Sequence, residues 1–262
     1  MGCYKVKKMQ TFGRRWIFFA VMAICIAGCT STLQVRKQQG EAARNFGEVY
    51  FAQRNYSEAL REFLRAESLY PDDPFLQNDL GLTYKAKKKP DLAITHFKKA
   101  LALKPDYASA RNNLGTVYLD KREWDAAIGY FKEVAGTLVY ASPHVPLSNL
   151  GWAYYNKKAY EPAEKYYLKA LEIAPKFINA LRGLGLTYMA MGRLPEGVEI
   201  LESAVKEYPR NALLYFDLGT GYTALHDHES ALNAYQKVEE LAPKSALARQ
   251  AEKAVQKIKH LE

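Results

Sequence analysis

The feature that most constrains the fold of this 262-residue chain is a glycine followed three residues later by a tyrosine, which recurs six times. Successive glycines are 34, 34, 36, 34 and 34 residues apart. The pairs are Gly47/Tyr50, Gly81/Tyr84, Gly115/Tyr118, Gly151/Tyr154, Gly185/Tyr188 and Gly219/Tyr222. A period of this length predicts an array of similar units, because each unit can bury its apolar face only against the next.

Three further positions recur in phase with the glycine. Twelve residues after it stands a small residue: Ala59, Ala93, Ala127, Ala163, Gly197 and Ala231. Sixteen residues after it stands a large apolar residue: Phe63, Phe97, Phe131, Tyr167, Leu201 and Tyr235. Twenty-four residues after it stands Pro71, Pro105, Val139, Pro175, Pro209 and Pro243. We interpret the small residues as close helix crossings and the proline as the end of a helix, since proline lacks an N–H and clashes with the preceding turn.

The pattern, over about residues 40–245, resembles the tetratricopeptide repeat. The resemblance implies an all-α fold, a right-handed α-solenoid of six helical hairpins plus a C-terminal capping helix. We place the six repeats at 40–73, 74–107, 108–143, 144–177, 178–211 and 212–245, and the capping helix at 246–262. Residues 30–39 are polar without a strong pattern, so together with Cys29 they are predicted to form a tether, 29–39.

The first 28 residues have the composition of a secretory leader. Five basic residues, Lys5, Lys7, Lys8, Arg14 and Arg15, precede an uncharged apolar run from Trp16 to Ala27, and there is no acidic residue. Twelve residues are too few to span a bilayer as a helix, so the run is predicted to belong to a signal peptide, 1–28.

The end of the leader, Ile26-Ala27-Gly28-Cys29, resembles the bacterial lipobox. The resemblance implies that Cys29 is lipidated and becomes the N-terminus, anchored to a membrane by its acyl chains. Thr30 rather than Asp follows the cysteine, which favours the periplasmic face of the outer membrane. The alternative is an ordinary signal peptide with a chance cysteine.

The positive charge of the chain does not indicate nucleic-acid binding. The sequence has 37 basic and 28 acidic residues, but removal of the leader leaves 32 basic residues against the same 28. The run 85–89, which carries four lysines, falls at the predicted turn between the helices of repeat two. It is interpreted either as a solvated turn or as an edge that faces anionic lipid or peptidoglycan.

The sequence contains no recognisable catalytic or metal-binding motif. There is no HExxH, P-loop or G-x-S-x-G, and all three cysteines lie at or before residue 29. His226 and His228 are two residues apart, which does not bring two ligands together on a helix. We therefore predict a protein that is not an enzyme, with no cofactor, metal or small-molecule substrate.

The family resemblance also implies a binding surface, because in tetratricopeptide proteins the first helix of each hairpin lines a concave groove. Mapped in register, the candidate groove residues are Phe51, Asn78, Leu82, Lys85, Asn112, Thr116, Trp152, Tyr155, Arg182 and Leu186. Amide and aromatic side chains suit an extended peptide. About half of the lining is expected to be exposed and the rest to pack against neighbouring helices. Glu48 stands where a carboxylate clamp has Asn, which argues against capture of a C-terminal carboxylate.

A narrower resemblance concerns residues 111–151, RNNLGTVYLDKREWDAAIGYFKEVAGTLVYASPHVPLSNLG. The paired asparagines, a shortened second helix that ends near Gly136, Leu138 and Tyr140, and the lengthened link before the next glycine are similar to the lipoprotein pilotins of type IV pili. The resemblance implies an adaptor whose protein partner is the pilus secretin. The alternative is a repeat-scaffold lipoprotein that recruits cell-wall enzymes or other envelope proteins.

Overall fold

The structure, a computed structural model, describes residues 32–136 and 141–260. Within these ranges the regular structure is entirely α-helical, in agreement with the predicted fold class. The predicted signal peptide and Cys29 lie outside the described residues, as do Leu138, Val139 and Tyr140. No helix in the described ranges is both long enough and apolar enough to cross a membrane.

The helices fall into two compact units, one up to Tyr107 and one from Ala108 onward. The first unit contains α1 (32–52), α2 (Tyr56–Leu69), α3 (Pro74–Ala86) and α4 (Pro90–Leu103). The second unit contains α5 (Ala108–Asp120), α6 (Trp124–Ala135), α7 (His144–Asn156), α8 (Tyr160–Ile173), α9 (Ile178–Ala190), α10 (Leu194–Glu207), α11 (Ala212–Ala224), α12 (His228–Leu241) and α13 (Ala246–Lys259). Antiparallel pairs of these helices form the hairpins.

The repeat glycine lies where the two helices of a hairpin cross. A Cβ built on Gly81 would stand 2.6 Å from the Phe97 ring, and one on Gly151 would stand 2.7 Å from the Tyr167 ring. The large residue sixteen positions after each glycine therefore fills the space that a side chain would need. The small residue twelve positions after each glycine, such as Ala93, is completely buried. The interpretation of these residues as close helix crossings is confirmed.

Proline ends the second helix of a hairpin through the residue that precedes it. Helices α2, α4, α8, α10 and α12 each stop two residues before a proline. The residue between, for example Tyr70 with φ −145° and ψ 87°, has left the helical conformation. A proline ring disfavours the helical region for the residue before it, which explains the common end point.

The second helix of the third hairpin is shorter than its counterparts. Helix α6 has 12 residues, whereas α2, α4, α8, α10 and α12 have 14. It ends at Ala135 with Gly136 as its cap, so the predicted end is confirmed. Gly136 has φ −80°, and its freedom to adopt a left-handed conformation is not used there.

A left-handed residue closes each turn between the helices of a hairpin. Five of these residues are not glycine: Arg54, Lys88, Arg122, Lys158 and His226, with φ between 57° and 62°. The sixth is Gly192, with φ 80°. After α7, the Lys158 N–H donates to the Tyr155 carbonyl and the Ala159 N–H donates to the Tyr154 carbonyl. These bonds satisfy carbonyls that the end of the helix leaves without intrahelical donors.

The predicted tether is wrong for residues 32–39, which are helical and continue into α1. Contacts with α2 hold this extension. An Nη atom of Arg36 donates to the Ser68 carbonyl at 3.2 Å, and the Lys37 ammonium lies 5.4 Å from the centre of the Tyr70 ring. The sequence signal was weak because the helix exposes Leu33 and Val35, at 60% and 50%, so apolar residues do not mark its buried side.

Candidate functional site

The first helices of the hairpins form a continuous surface in the second unit. Helix α7 contacts α5 and α9, and α11 contacts α9 and α13. Side chains that project from this set of helices, away from their own hairpin partners, can therefore act together. The candidate residues Asn112, Thr116, Trp152, Tyr155, Arg182 and Leu186 lie on α5, α7 and α9.

Three aromatic side chains and one guanidinium meet at the middle of this surface. The rings of Trp152 and Tyr155 are stacked, with centroids 5.4 Å apart and planes 13° apart. Tyr160, at the start of α8, has its ring 5.9 Å from that of Tyr155. The Arg182 guanidinium lies 6.0 Å from the Trp152 ring centre, at the outer limit of a cation–π contact. All four side chains are partly exposed, and we call them the aromatic site.

An ion pair from the next hairpin holds Arg182 in place. Its Nε donates to an oxygen of Asp217 on α11, and its Nη2 lies 3.5 Å from the other carboxylate oxygen. Burial raises the pKa of Asp217, and the hydrogen bond from Arg182 opposes that shift. The Asp217 side chain is 9% exposed and that of Arg182 is 27% exposed. The buried carboxylate therefore holds the guanidinium, which stays partly exposed.

A cavity of about 210 Å³ opens beside the aromatic site. Trp152 and Arg182 form one part of its wall, and its polar lining comes from Ser148, Asn149 and Asn179. The Asn149 amide donates to Asn112 Oδ1 at 3.2 Å, which leaves the Asn149 carbonyl oxygen to face other groups. Tyr167 and Gly183 complete the lining.

The first unit carries a charged cluster at the equivalent place. The Arg44 guanidinium bonds Asp73 at 2.8 Å and Glu48 at 3.1 Å, and lies 3.7 Å from Asp79. Asp79 is 19% exposed, and its Oδ2 has no hydrogen-bond partner among the described residues. Burial, followed by the negative charge of Glu48, raises the pKa of Asp79 to about 7. The cluster holds more acid than its single arginine neutralises.

A small apolar cavity of about 100 Å³ adjoins this cluster. Phe51, Phe63 and Leu82 line it together with Glu48 and Asp79. Phe51 also makes an edge contact with Tyr56, at 5.3 Å between centroids. Of the predicted residues in this unit, Phe51 and Leu82 are thus brought together.

Two predicted ligand-facing amides are buried instead. Asn78 and Asn112 are only 6% and 7% exposed. Asn112 accepts the hydrogen bond from Asn149, and Asn78 lowers the pKa of Asp79 through a side-chain hydrogen bond. Asn112 thus links α5 to α7, Asn78 contacts its neighbour on α3, and neither amide forms open surface. Lys85, Thr116 and Leu186 are partly buried, and the Thr116 hydroxyl donates to the Asn113 carbonyl at 2.7 Å.

The sequence reasoning missed the carboxylates that pair with the arginines. Arg44 and Arg182 both stand three residues before a repeat glycine, and each contacts an aspartate 35 residues further on. Those aspartates, Asp79 and Asp217, both stand two residues before the next repeat glycine. This arginine-to-aspartate spacing is the signal that could have found them. Asn149 stands at the same repeat position as these aspartates, two residues before Gly151, whereas Tyr160 carries no comparable signal.

No cluster of histidine, cysteine and acidic residues suitable for a metal ion occurs in the part of the chain that the structure describes.

The lysine-rich turn lies between α3 and α4. Lys87 Nζ donates to the Ser57 hydroxyl at 3.0 Å, while Lys88 and Lys89 are exposed.

Comparison with protein families gives matches described as tetratricopeptide repeat at residues 108–136, 145–177 and 177–244, and as TPR repeat at 84–121. Among curated proteins, anaphase-promoting complex subunit 3 of Schizosaccharomyces pombe is 31% identical over 90 residues, or 34% of this chain. The CTR9 homolog of Arabidopsis thaliana is 32% identical over 104 residues, or 38% of this chain. The matches span only 14% and 10% of these two relatives.

Among solved structures, PilW, described as a widely conserved type IV pilus biogenesis factor, matches with a TM-score of 0.75 and 20% identity. The match covers 81% of this chain and 98% of that chain. Pseudomonas aeruginosa pilF matches with a TM-score of 0.70 and 17% identity, over 84% and 99% of the two chains. YrrB, described as a TPR protein with an unusual peptide-binding site, matches at 0.52 and 21%, over 73% and 97%.

The helical hairpins, their 34-residue period and the residues at their crossings define an all-α repeat protein. More narrowly, the chain is a tetratricopeptide-repeat protein. This fold is a scaffold for protein–protein interaction.

Proposed function

We propose that the protein is a lipid-anchored adaptor in the bacterial envelope that binds a protein partner at the aromatic site. The partner that we propose is the type IV pilus secretin, whose localisation or assembly the adaptor would assist. The proposal includes no catalytic step, cofactor or small-molecule substrate.

The observation that carries the binding site is the stacked pair of Trp152 and Tyr155 beside Arg182. Tryptophan, tyrosine and arginine dominate the energy of protein interfaces, particularly near the centre of a contact surface. These side chains are partly exposed, and the ion pair with Asp217 fixes the guanidinium before any partner arrives. A prearranged site loses less conformational entropy on binding.

The choice of secretin rests on two supports. PilW, described as a type IV pilus biogenesis factor, and Pseudomonas aeruginosa pilF share the fold along most of their length. Residues 111–151 add the shortened α6 and the long link to α7, in which the sequence resembles the pilotins.

The test measures binding of the secretin encoded by the same genome to the acylated full-length protein. A Trp152→Ala, Tyr155→Ala double variant should lose about 2 kcal/mol or more of binding free energy, or about thirtyfold in Kd. The matched control is Leu168→Ala, Ile173→Ala, which removes two side chains that are 41% and 50% exposed on α8 of the same hairpin. Melting curves of both variants come from the same preparations.

If the Trp152, Tyr155 double variant is well folded and binds at full strength, the aromatic site is not part of the interface. The cavity lined by Phe51 and Leu82 then becomes the candidate site. Absence of secretin binding by the wild-type protein would refute the proposed partner. In that case a scaffold role towards cell-wall enzymes becomes the candidate to examine.

The proposed anchor is Cys29, which is lipidated on its sulfur, becomes the N-terminus when the leader is removed, and is acylated there too. Two or more acyl chains hold a protein stably on a membrane, while one does so only marginally. Cys29→Ala should therefore release the protein from the outer-membrane fraction, and its melting should be unchanged. A Cys29→Ala protein that still fractionates with the outer membrane would refute lipidation as the anchor.

A further inference from the structure

Tyr167 is an unusual occupant of its repeat position. The equivalent residues Phe63, Phe97 and Phe131 have no hydroxyl, and all of these rings are at most 1% exposed. The Tyr167 hydroxyl has no hydrogen-bond partner among the described residues, although Tyr167 itself is 1% exposed. Burial of an unpaired hydroxyl is unfavourable, and a phenylalanine would avoid that cost.

The other tyrosine at this position behaves differently. The Tyr235 hydroxyl lies 3.4 Å from the Thr220 hydroxyl, within hydrogen-bond distance. Tyr235 thus has a partner from its own hairpin. Tyr235 is therefore the internal control: a tyrosine at the same repeat position whose hydroxyl is already paired within the protein.

Gly183 creates the space for the Tyr167 hydroxyl. A Cβ at residue 183 would stand 2.5 Å from that oxygen. Gly183 lies two residues before a repeat glycine, where the other five repeats carry a polar side chain: Asn45, Asp79, Asn113, Asn149 and Asp217. The Tyr167 hydroxyl therefore fills the space that the polar side chain fills in the other repeats. The two residues that depart from the repeat pattern, Tyr167 and Gly183, are in direct contact.

Both residues line the cavity beside the aromatic site. Its polar walls come from Ser148, Asn149 and Asn179, and its one guanidinium, that of Arg182, is paired with Asp217. The cavity thus has no unbalanced charge. Hydrogen-bond donors and acceptors without net charge suit a neutral polar group better than a carboxylate or an ammonium.

We propose that the Tyr167 hydroxyl donates a hydrogen bond to an amide carbonyl of the bound partner, which enters the cavity between Trp152 and Arg182. This inference rests on the proposed function, because it assigns the polar contact beside the aromatic one. Tyr167 is then a specificity-determining residue: a partner that fails to place an amide there leaves the hydroxyl unpaired. The hydroxyl oxygen is itself buried, so side chains that line the cavity must shift as the amide enters.

The first experiment compares Tyr167→Phe with Tyr235→Phe in the full-length protein, with the secretin as the probe. Tyr167→Phe should melt at the wild-type temperature or above it and should bind secretin about tenfold more weakly, equivalent to 1.4 kcal/mol. Tyr235→Phe should bind as the wild type does. Wild-type binding by Tyr167→Phe would overturn the proposal and leave the hydroxyl with bound water only.

The second experiment does not depend on secretin. Protein labelled at tyrosine Cζ with ¹³C is titrated with acetamide, with N-methylacetamide and with acetate, and the Tyr167 signal is assigned from its loss in Tyr167→Phe. Acetamide represents an Asn or Gln side chain, and N-methylacetamide represents the peptide backbone. A saturable shift of the Tyr167 signal with either amide, and not with acetate, is expected. No amide shift, or a larger one with acetate, would overturn the proposal.

The outcomes separate this inference from the proposed function. If the Trp152, Tyr155 double variant binds secretin normally, the proposed site fails. If that variant loses binding while Tyr167→Phe keeps it and the amides leave the Tyr167 signal in place, only the role of the hydroxyl fails.

Discussion

Gly183 on α9 lies directly against the hydroxyl end of Tyr167 on α8, so close that a Cβ at residue 183 would stand 2.5 Å from the hydroxyl oxygen. The contact joins two successive hairpins of the second unit, because Tyr167 also covers Gly151 of its own hairpin. One buried ring thus fills two glycine sites, and both must stay without a side chain for the ring to fit.

Gly183→Ala should destabilise the fold by about 1–3 kcal/mol, because overpacking at a buried contact forces side chains or backbone to move. The gain in helix propensity from glycine to alanine offsets up to about 1 kcal/mol of that loss. Gly129→Ala on α6 is the matched control, since nothing lies within 4 Å of its Cβ position. It should stabilise by about 0.5–1 kcal/mol. Urea unfolding of both variants measures the difference, and equal effects would mean that Tyr167 yields freely.

Lys158→Gly should stabilise the protein by about 0.5–1 kcal/mol, because Lys158 has φ 62° in the turn between α7 and α8 and a non-glycine residue is strained there. Gly192 holds the same place in the next hairpin with φ 80°. The control is Lys165→Gly, on an exposed position within α8, which should lose about 1 kcal/mol through helix propensity. Thermal melts compare the two, and a loss of stability in Lys158→Gly would contradict the strain argument.

Asp79→Asn should remove a pH dependence of stability. Burial and Glu48 raise the pKa of Asp79 to about 7 in the folded protein, above the ordinary value of 3.8 that applies once it is unfolded. Between these values the folded state takes up a proton that the unfolded state does not, so the free energy of unfolding increases as the pH falls from 8 to 5. Protonation of Asp79 accounts for about 2–3 kcal/mol of this increase in the free energy of unfolding between pH 8 and pH 5.

The measurement is chemical unfolding of the wild type and Asp79→Asn at pH 5, 6, 7 and 8. The variant should be more stable than the wild type at pH 8, and the difference should shrink by about 2–3 kcal/mol towards pH 5, because it disappears only below the unfolded-state pKa of 3.8. Asp72→Asn, at an exposed position in the preceding loop, should keep the wild-type pH dependence. Parallel curves for the wild type and Asp79→Asn would show that the raised pKa is not realised.

Ala93→Leu should cost about 1–3 kcal/mol or prevent folding, because Ala93 is completely buried where α3 and α4 cross. Ala102→Leu, on an exposed position of the same helix, is the control and should change the stability by less than about 0.5 kcal/mol. Circular dichroism melts decide between them, and equal melting temperatures would show that the crossing can open without loss.

Part of the candidate site was predictable from the repeat register alone. Trp152, Tyr155 and Arg182 stand at positions that project from the first helices, and the structure brings them together. The register could not indicate that Tyr160 joins them from α8, since that contact depends on how a side chain crosses a hairpin turn. It could not indicate either that Asp217 holds Arg182, because the two residues meet only after consecutive hairpins have packed.

The sequence by itself determined the helical hairpins, since their rules are local or strictly periodic. A proline ends a helix through the residue before it, and a glycine opposite a large ring allows two helices to cross closely. Only the tertiary structure decided which polar side chains remain open. Asn112 stands on the predicted binding face, yet it is 7% exposed, and Ser148 at the equivalent position of the next repeat is 4% exposed. Neighbouring helices cover such short side chains, whereas the longer Trp152 and Arg182 reach past them, and side-chain reach across packed helices is not encoded by position in a repeat.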